Sequence, residues 1–321
     1  MAHTIAPEEP RSLAAPPSAW DRFANTAFRL LTLAFTWGMV ALTAYIFFKI
    51  GAKALPAMDR YGINLLISTT WNPNAEVFGI LPEIWGTLYS SLLALGLGGF
   101  FGITIAIFLT QDFLPHKLEI ILKSIIELLA AIPSVVYGLW GIFVLIPLIR
   151  PFAHFLHDHF SWFPLFATRL SGPGMFPAAL VLSIMILPTV AAISQDAFRA
   201  IPHKTKEAAF GMGATRWEAI LRVMLPTASG GIFGALVLGL GRALGETMAL
   251  AMLVGNFNQI SLSLFAPANT LAALLALNFP EAGKLEVSVL MYAACLLLLI
   301  TLLVNILGAA IIGRTAAGGR S

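Results

Sequence analysis

The chain has 321 residues, of which 58% are hydrophobic and 11% are charged, and its formal net charge is +3. Soluble domains carry about 25% charged residues, so this composition excludes an ordinary soluble fold and gives no support to nucleic-acid binding. The single cysteine, Cys295, excludes an intramolecular disulfide and a cysteine metal cluster.

The first 27 residues are polar and rich in proline and alanine, with four prolines before Ser18. They predict a flexible cytoplasmic tail, followed by one membrane domain over residues 28–321. The first apolar run begins near Phe28 and is too long for the apolar region of a signal peptide. We therefore expect no cleavable signal.

Six apolar stretches are long enough to cross a bilayer, for which about 20 residues are needed. They predict an all-α, polytopic membrane protein with six transmembrane helices. Glycine and alanine are frequent in the second to fifth stretches, and small residues allow membrane helices to pack closely. The stretches are 28–48, 86–110, 120–149 (interrupted by Pro133 and Pro147), 177–194 (with Pro188 inside), 230–254 and 287–312.

The orientation follows from the distribution of Lys and Arg, which concentrate in cytoplasmic segments. With both termini in the cytoplasm, twelve of these residues lie inside and six outside, and Arg242 lies within a span. We therefore predict that both termini and the loop 199–228 face the cytoplasm.

The outside connection 150–176 contains three histidines and Asp158 within residues 154–159. These are metal-ligand types, but they are confined to one aromatic-rich segment and no second cluster completes a site. An interfacial loop with Trp162, Phe163 and Phe166 against the headgroups is the favoured interpretation. We predict no metal and no cofactor.

The loop 199–228 begins with a predicted short helix. Lys204 to Phe210 consists of good helix formers, and Gly211 and Gly213 end the helix. Phe210, Met212 and Trp217 are expected to be exposed on a small helical knob, which favours docking into a groove of another protein; an ordinary amphipathic surface loop is the alternative.

A second helix is predicted to follow directly. Thr215 caps it, and Glu218, three residues later, is the capping-box partner. The helix is expected to run to Leu225 and to end at Pro226.

The fifth span carries two opposite charges, Arg242 and Glu246, at a spacing that would place them on one face of a helix. A charge within the bilayer is costly, so both are expected to face a cavity or a partner helix. A guanidinium binds an oxyanion through two parallel hydrogen bonds, which makes Arg242 a candidate anion contact. A structural ion pair that locks two helices is the alternative.

The cytoplasmic loop resembles the EAA loop of ABC importer permeases. The matching residues are Glu207-Ala208-Ala209, then Gly213 after three residues, Val223 after nine more, and Leu225-Pro226; the family has Ile where this chain has Val223. The resemblance implies that Glu207 to Gly213 forms a coupling helix, which inserts into a cleft of an ATP-binding subunit.

Three segments resemble the phosphate-specific ABC permeases of the Pst system, and most closely their C-type permease: residues 126–141, 171–188 and 239–256. The resemblance implies a type I ABC importer permease fold in the bacterial inner membrane. It implies a transport subunit and not an enzyme. Arg242 and Glu246 match the family's charged pair implicated in phosphate passage, whereas Glu127 either lines the cavity or pairs with Lys123.

The implied partners are a homologous second permease in a heterodimer, two ATP-binding subunits, a periplasmic phosphate-binding protein and membrane lipid. The chain has no Gly-Lys-Ser or Gly-Lys-Thr phosphate-binding signature, so ATP hydrolysis is assigned to another polypeptide. Two alternatives remain open. One is an importer of sulfate, molybdate or phosphonate, because a single arginine suits any of these anions; the other is an ion-driven secondary transporter.

Overall fold

The computed structural model describes residues 18–111 and 113–318, with side chains through Gly313. In these ranges the regular structure is helical, and six helices are long and apolar enough to cross a membrane, which confirms the predicted fold class. The main helices are α1 Ala19–Tyr61, α2 Leu81–Thr110, α3 His116–Ala131, α4 Ser134–Phe160, α5 Met175–Arg199, α6 His203–Gly211, α7 Arg216–Leu244, α8 Met248–Leu253, α9 Leu271–Asn278 and α10 Lys284–Gly318. The six helices able to cross a membrane are α1, α2, α4, α5, α7 and α10.

The chain divides into two compact units, Met1–Ile50 and Gly51–Ser321. In the first unit, α1 begins at Ala19, nine residues before the predicted start of the span. Residues 1–17 of the predicted tail lie outside the described residues, so the division into a tail and a membrane domain stays a prediction. The second unit contains every candidate site residue.

The third predicted span, 120–149, is wrong as one helix. It is divided into α3 and α4, because Ile132 is extended (φ −70°, ψ 127°) ahead of Pro133. A residue before proline is driven out of the helical region by the proline ring. The spanning helix is therefore α4, which begins at Ser134 and continues to Phe160.

Two other prolines, Pro147 and Pro226, lie inside continuous helices, so the predicted helix end at Pro226 is wrong. Each follows a π-helical turn, at Gly141–Leu145 and at Ile220–Met224, after which the next amide donates to the carbonyl five residues earlier. A proline ring clashes with the carbonyl of the preceding turn. The wider turn relieves that conflict, and π-turns of this kind are tolerated within helices.

α5 is the central span. Within the apolar 18-residue stretch of each helix, 61% is buried in α5, against 33% in α2 and 28% in α7. Small residues allow α2 to approach it closely, as predicted. A Cβ built on Gly98 would lie 2.7 Å from the Ser183 carbonyl oxygen, and one on Gly102 would lie 2.9 Å from Val190. Gly96, in contrast, has open space around it, so only some of these glycines are required by packing.

Candidate functional site

The first helix of the coupling loop is α6, and it ends in a turn that depends on a glycine. Gly213 has φ +84°, a left-handed conformation that glycine adopts without strain. Its amide donates to the Phe210 carbonyl at 2.9 Å, and the Ala214 amide donates to the Ala209 carbonyl at 3.2 Å. This pair of bonds is a Schellman motif, which satisfies the last carbonyls of the helix.

The second helix starts with the predicted capping box. The Thr215 hydroxyl accepts from the Glu218 amide at 3.4 Å, and the Glu218 carboxylate accepts from the Thr215 amide at 3.0 Å. Two amides that would otherwise lack partners at the helix start are thereby satisfied. The turn between α6 and α7 is fixed at both ends.

The residues of the predicted EAA motif differ in exposure. Glu207 and Ala208 are exposed, whereas Ala209 is buried against a cluster that includes Phe198 and Ile220. Ala209 thus anchors α6 to the membrane helices, and the Glu207 carboxylate remains free to meet another chain. Leu225 is half-buried and Pro226 is exposed within α7.

The apolar side chains of the knob are exposed, as predicted. Phe210 is 45% exposed, Met212 is 82% exposed and Trp217 is 51% exposed. Large apolar side chains on a surface mark contact sites for lipid or protein. Trp217 also packs on Phe113, with ring centroids 5.3 Å apart.

The expectation that Arg242 and Glu246 share one helix face is wrong. α7 ends at Leu244, and Gly245 (φ −92°, ψ 0°) leads into a break that contains Glu246 and Thr247. The Thr247 hydroxyl donates to the Gly245 carbonyl at 3.2 Å, which satisfies one of the carbonyls freed at the break. The four-residue spacing therefore does not correspond to a helical turn here.

Arg242 occupies the last turn of α7, where the helix dipole favours a cation. Its Nη1 donates to the Thr189 hydroxyl of α5 at 3.4 Å, and Tyr137 of α4 lies within its electrostatic reach. Its side chain is exposed on the surface of this chain. Among the described side chains, no carboxylate oxygen lies within 4.0 Å of its guanidinium.

Glu246 interacts with the backbone of the next helix. Its Oε1 accepts from the Ala249 amide, at the start of α8, at 3.3 Å. The residue is half-buried, and a carboxylate suits a helix N-terminus because amides there lack partners. The two predicted charges are thus brought to one break, but each has a separate partner.

The three segments that carry the family resemblance meet around α8. Built Cβ atoms on Gly138 and Gly141 of α4 would lie 2.6 Å from the Met252 sulfur and 2.7 Å from Leu253. The Gly174 amide donates to the Leu253 carbonyl at 2.8 Å. Sequence reasoning missed α8 and the contact of Arg242 with α5.

Of the two alternatives for Glu127, the pair with Lys123 is not formed, since their charged groups are not within 4.0 Å of each other in the described part of the chain. Both line a cleft of about 160 Å³ together with Asp196 and Arg199.

The histidines of the 150–176 connection lie on the end of α4 and not on a loop. His154 Nε2 lies 2.9 Å from the Leu170 carbonyl oxygen, and His157 Nδ1 lies 2.8 Å from that of Phe166. The rings of His154 and His157 tether the loop that follows α4. Trp162 and Phe163 are exposed, whereas Phe166 is half-buried and stacks on Phe265, and the interfacial position of this segment stays a prediction.

Solved transporters contain this fold. The chain is similar to one in the crystal structure of a bacterial alginate ABC transporter, with a TM-score of 0.60 at 18% identity, covering 90% of this chain and 98% of that one. It is also similar to a chain of the inward-facing MetNI methionine ABC transporter, with a TM-score of 0.56 at 20% identity, covering 74% and 95%. At these identities the likeness shows the fold alone, which is that of a type I ABC importer permease.

Residues 98–316 match the family model described as "Binding-protein-dependent transport system inner membrane component". The chain belongs to this family, whose members are multi-pass transport components of the inner membrane. It is 40% identical to "Phosphate transport system permease protein PstC" of Mesorhizobium japonicum, over 88% of this chain and 89% of that protein. The protein of the same name from Haemophilus influenzae is 39% identical, over 88% and 91%. The resemblance found in the sequence is confirmed.

Proposed function

We propose that this chain is the membrane-spanning permease subunit of an ATP-driven phosphate importer. The observation that carries the proposal is the Arg242 guanidinium, exposed at the broken end of α7 and without a carboxylate neighbour within the described residues. A cation in a span needs a compensating group. A transported anion supplies that group transiently, and the names of the relatives favour phosphate over other oxyanions.

The exposed position of Arg242 also supports a shared path. A homologous second permease would cover this face, so that the anion passes between the two subunits. A single guanidinium with one weak hydroxyl contact leaves donors available for a bidentate phosphate contact. Glu246 lies in the same break and contributes a nearby negative charge, which would limit affinity and allow release.

Energy coupling is assigned to the loop. Two ATP-binding subunits would dock on the cytoplasmic side, one at α6 of each permease, and a periplasmic phosphate-binding protein would deliver the anion on the opposite side. The exposed Glu207 would contact the ATP-binding subunit, while buried Ala209 would transmit its movement to the spans. The Lys and Arg distribution supports a cytoplasmic position for both termini.

The test is ATP hydrolysis by the purified complex in lipid nanodiscs. Phosphate-loaded binding protein is expected to stimulate hydrolysis, and unloaded binding protein is not. Equal stimulation with sulfate or molybdate in place of phosphate would favour an importer of another oxyanion. Phosphate uptake driven by an ion gradient without ATP would contradict the assignment to an ABC importer.

A further inference from the structure

A basic cleft lies on the coupling-loop side of the second unit, apart from Arg242. We define it by Gln111, Arg199, His203, Lys206, Glu207 and Arg216, which line a cavity of about 600 Å³. Four elements contribute: the end of α2, the end of α5, the coupling helix α6 and the start of α7. This volume is within the range of small-ligand sites.

The charges of the cleft favour an anion. Arg199, Lys206 and Arg216 contribute three positive charges, the His203 imidazole adds polar nitrogens, and Glu207 contributes one negative charge. Among the described side chains, neither Arg199 nor Lys206 has a carboxylate within 4.0 Å. Arg216 is held in place by interactions of its own, including its position over the Phe113 ring. Arg216 therefore contributes mainly to the positive electrostatic potential of the cleft and less to direct hydrogen bonding of a ligand.

We propose that the basic cleft binds a phosphate group from the coupling-loop side and that occupancy restrains α6 relative to α5. A guanidinium offers a planar fork for two phosphate oxygens, and an ammonium and an imidazole supply point donors from a different element. A phosphate held between Arg199 and Lys206 would therefore cross-link α5 to the coupling helix. Free inorganic phosphate and a phospholipid headgroup share this chemistry.

Substitution of Glu207 is predicted to change phosphate affinity in the opposite direction from substitution of the basic residues. Its carboxylate lines the same cleft and repels an anion, which keeps the affinity modest. Removing its charge should tighten phosphate binding, whereas removing the charge of Arg199 or Lys206 should weaken it. If these residues had only a structural role, their substitutions would not change phosphate affinity in opposite directions.

The experiment uses the full-length chain, purified with its co-expressed transporter subunits in phosphatidylcholine nanodiscs. The Arg242→Gln background removes binding at the proposed path, so the result is independent of the role of that residue. Equilibrium dialysis with radiolabelled inorganic phosphate is expected to show binding that weakens about tenfold in Arg199→Gln and in Lys206→Gln. Glu207→Gln should tighten it several-fold. Lys204→Gln, on the same helix but outside the cleft, should leave it unchanged.

A second arm separates the two sources of phosphate. Nanodiscs that contain phosphatidylglycerol are analysed by native mass spectrometry. Lipid retained by the parent but lost in the Arg199→Gln/Lys206→Gln double variant, without inorganic phosphate binding, would assign the cleft to a headgroup and support the proposal. Circular dichroism and monodisperse elution establish that each variant is folded.

Binding of neither ligand, or binding equal in Arg199→Gln, Lys206→Gln and Lys204→Gln, would overturn the proposal. A cross-link from residue 206 to a carboxylate of an ATP-binding subunit, without phosphate binding, would also overturn it in favour of a protein contact.

Discussion

The coupling loop and the charged break of α7 differ in which interactions specify their conformations. In the loop, a glycine with φ +84° and a capping box define the turn within six residues of sequence. At the break, Arg242 contacts Thr189, which is 53 positions away, and α8 packs on α4. The loop is specified by local chemistry, whereas the break is specified by tertiary packing. Substitutions at the break should therefore alter transport, and those in the loop should alter coupling and local stability.

The largest effect is expected at the break. Arg242→Gln should lower phosphate uptake about 100-fold or more, because it removes a charged partner of the anion within a span. Arg242→Lys should recover only part of this loss, since lysine keeps the charge without the planar fork. Uptake of labelled phosphate by cells that lack other phosphate transporters measures the effect.

Two controls accompany the Arg242 variants. Arg29→Gln, which removes an exposed arginine of α1, should leave uptake near the parental level. Co-purification of the remaining subunits with Arg242→Gln should be normal. Parental uptake by Arg242→Gln would exclude an anion contact at this residue, and failed assembly would favour a structural role in packing the spans.

The second-largest effect is expected in the coupling loop. Glu207→Gln should lower the stimulation of ATP hydrolysis by loaded binding protein about tenfold, because it removes one exposed charge at the proposed contact with the ATP-binding subunit. Basal ATP hydrolysis and complex assembly are measured in parallel. Lys204→Gln, three positions earlier on α6, is the matched control. Unchanged stimulation in Glu207→Gln would separate this carboxylate from coupling.

A smaller effect is expected at the turn. Gly213→Ala should destabilise the loop by about 1–2 kcal/mol, because an L-residue is strained at φ +84°. Gly211→Ala is its matched control, since Gly211 has open space and no positive φ. That change should be neutral or stabilise by about 0.5–1 kcal/mol. Apparent unfolding temperature and hydrogen exchange of α6 measure both; equal behaviour of the two variants would contradict the Schellman motif.

The same contrast explains what could be predicted from the sequence. Six spans follow from composition, and Thr215 with Glu218 is recognisable because both partners lie within one turn. The helix break at Gly245 was not recognisable, because glycines are frequent throughout this span and some of them, such as Gly231 and Gly239, serve packing. Pro226 was misleading because a π-helical turn, which has no clear sequence signature, lets the helix continue. The contacts of Arg242 depend on helix arrangement, which local spacing does not encode.

The smallest expected effect distinguishes a cap from an ion pair at Glu246. If Glu246 were the buried partner of Arg242, its neutralisation would leave an unpaired charge and would cost about 3–5 kcal/mol. In the structure its Oε1 instead accepts from the Ala249 amide, and a glutamine retains an acceptor oxygen for that bond. Glu246→Gln should therefore change stability by less than about 1 kcal/mol, while Glu246→Ala should cost about 1 kcal/mol through the lost cap. Thermal unfolding of both variants, alone and combined with Arg242→Gln, measures the coupling. Additive effects follow if the two residues have separate partners, and a coupling above about 1 kcal/mol would restore the ion pair and return Arg242 to a structural role.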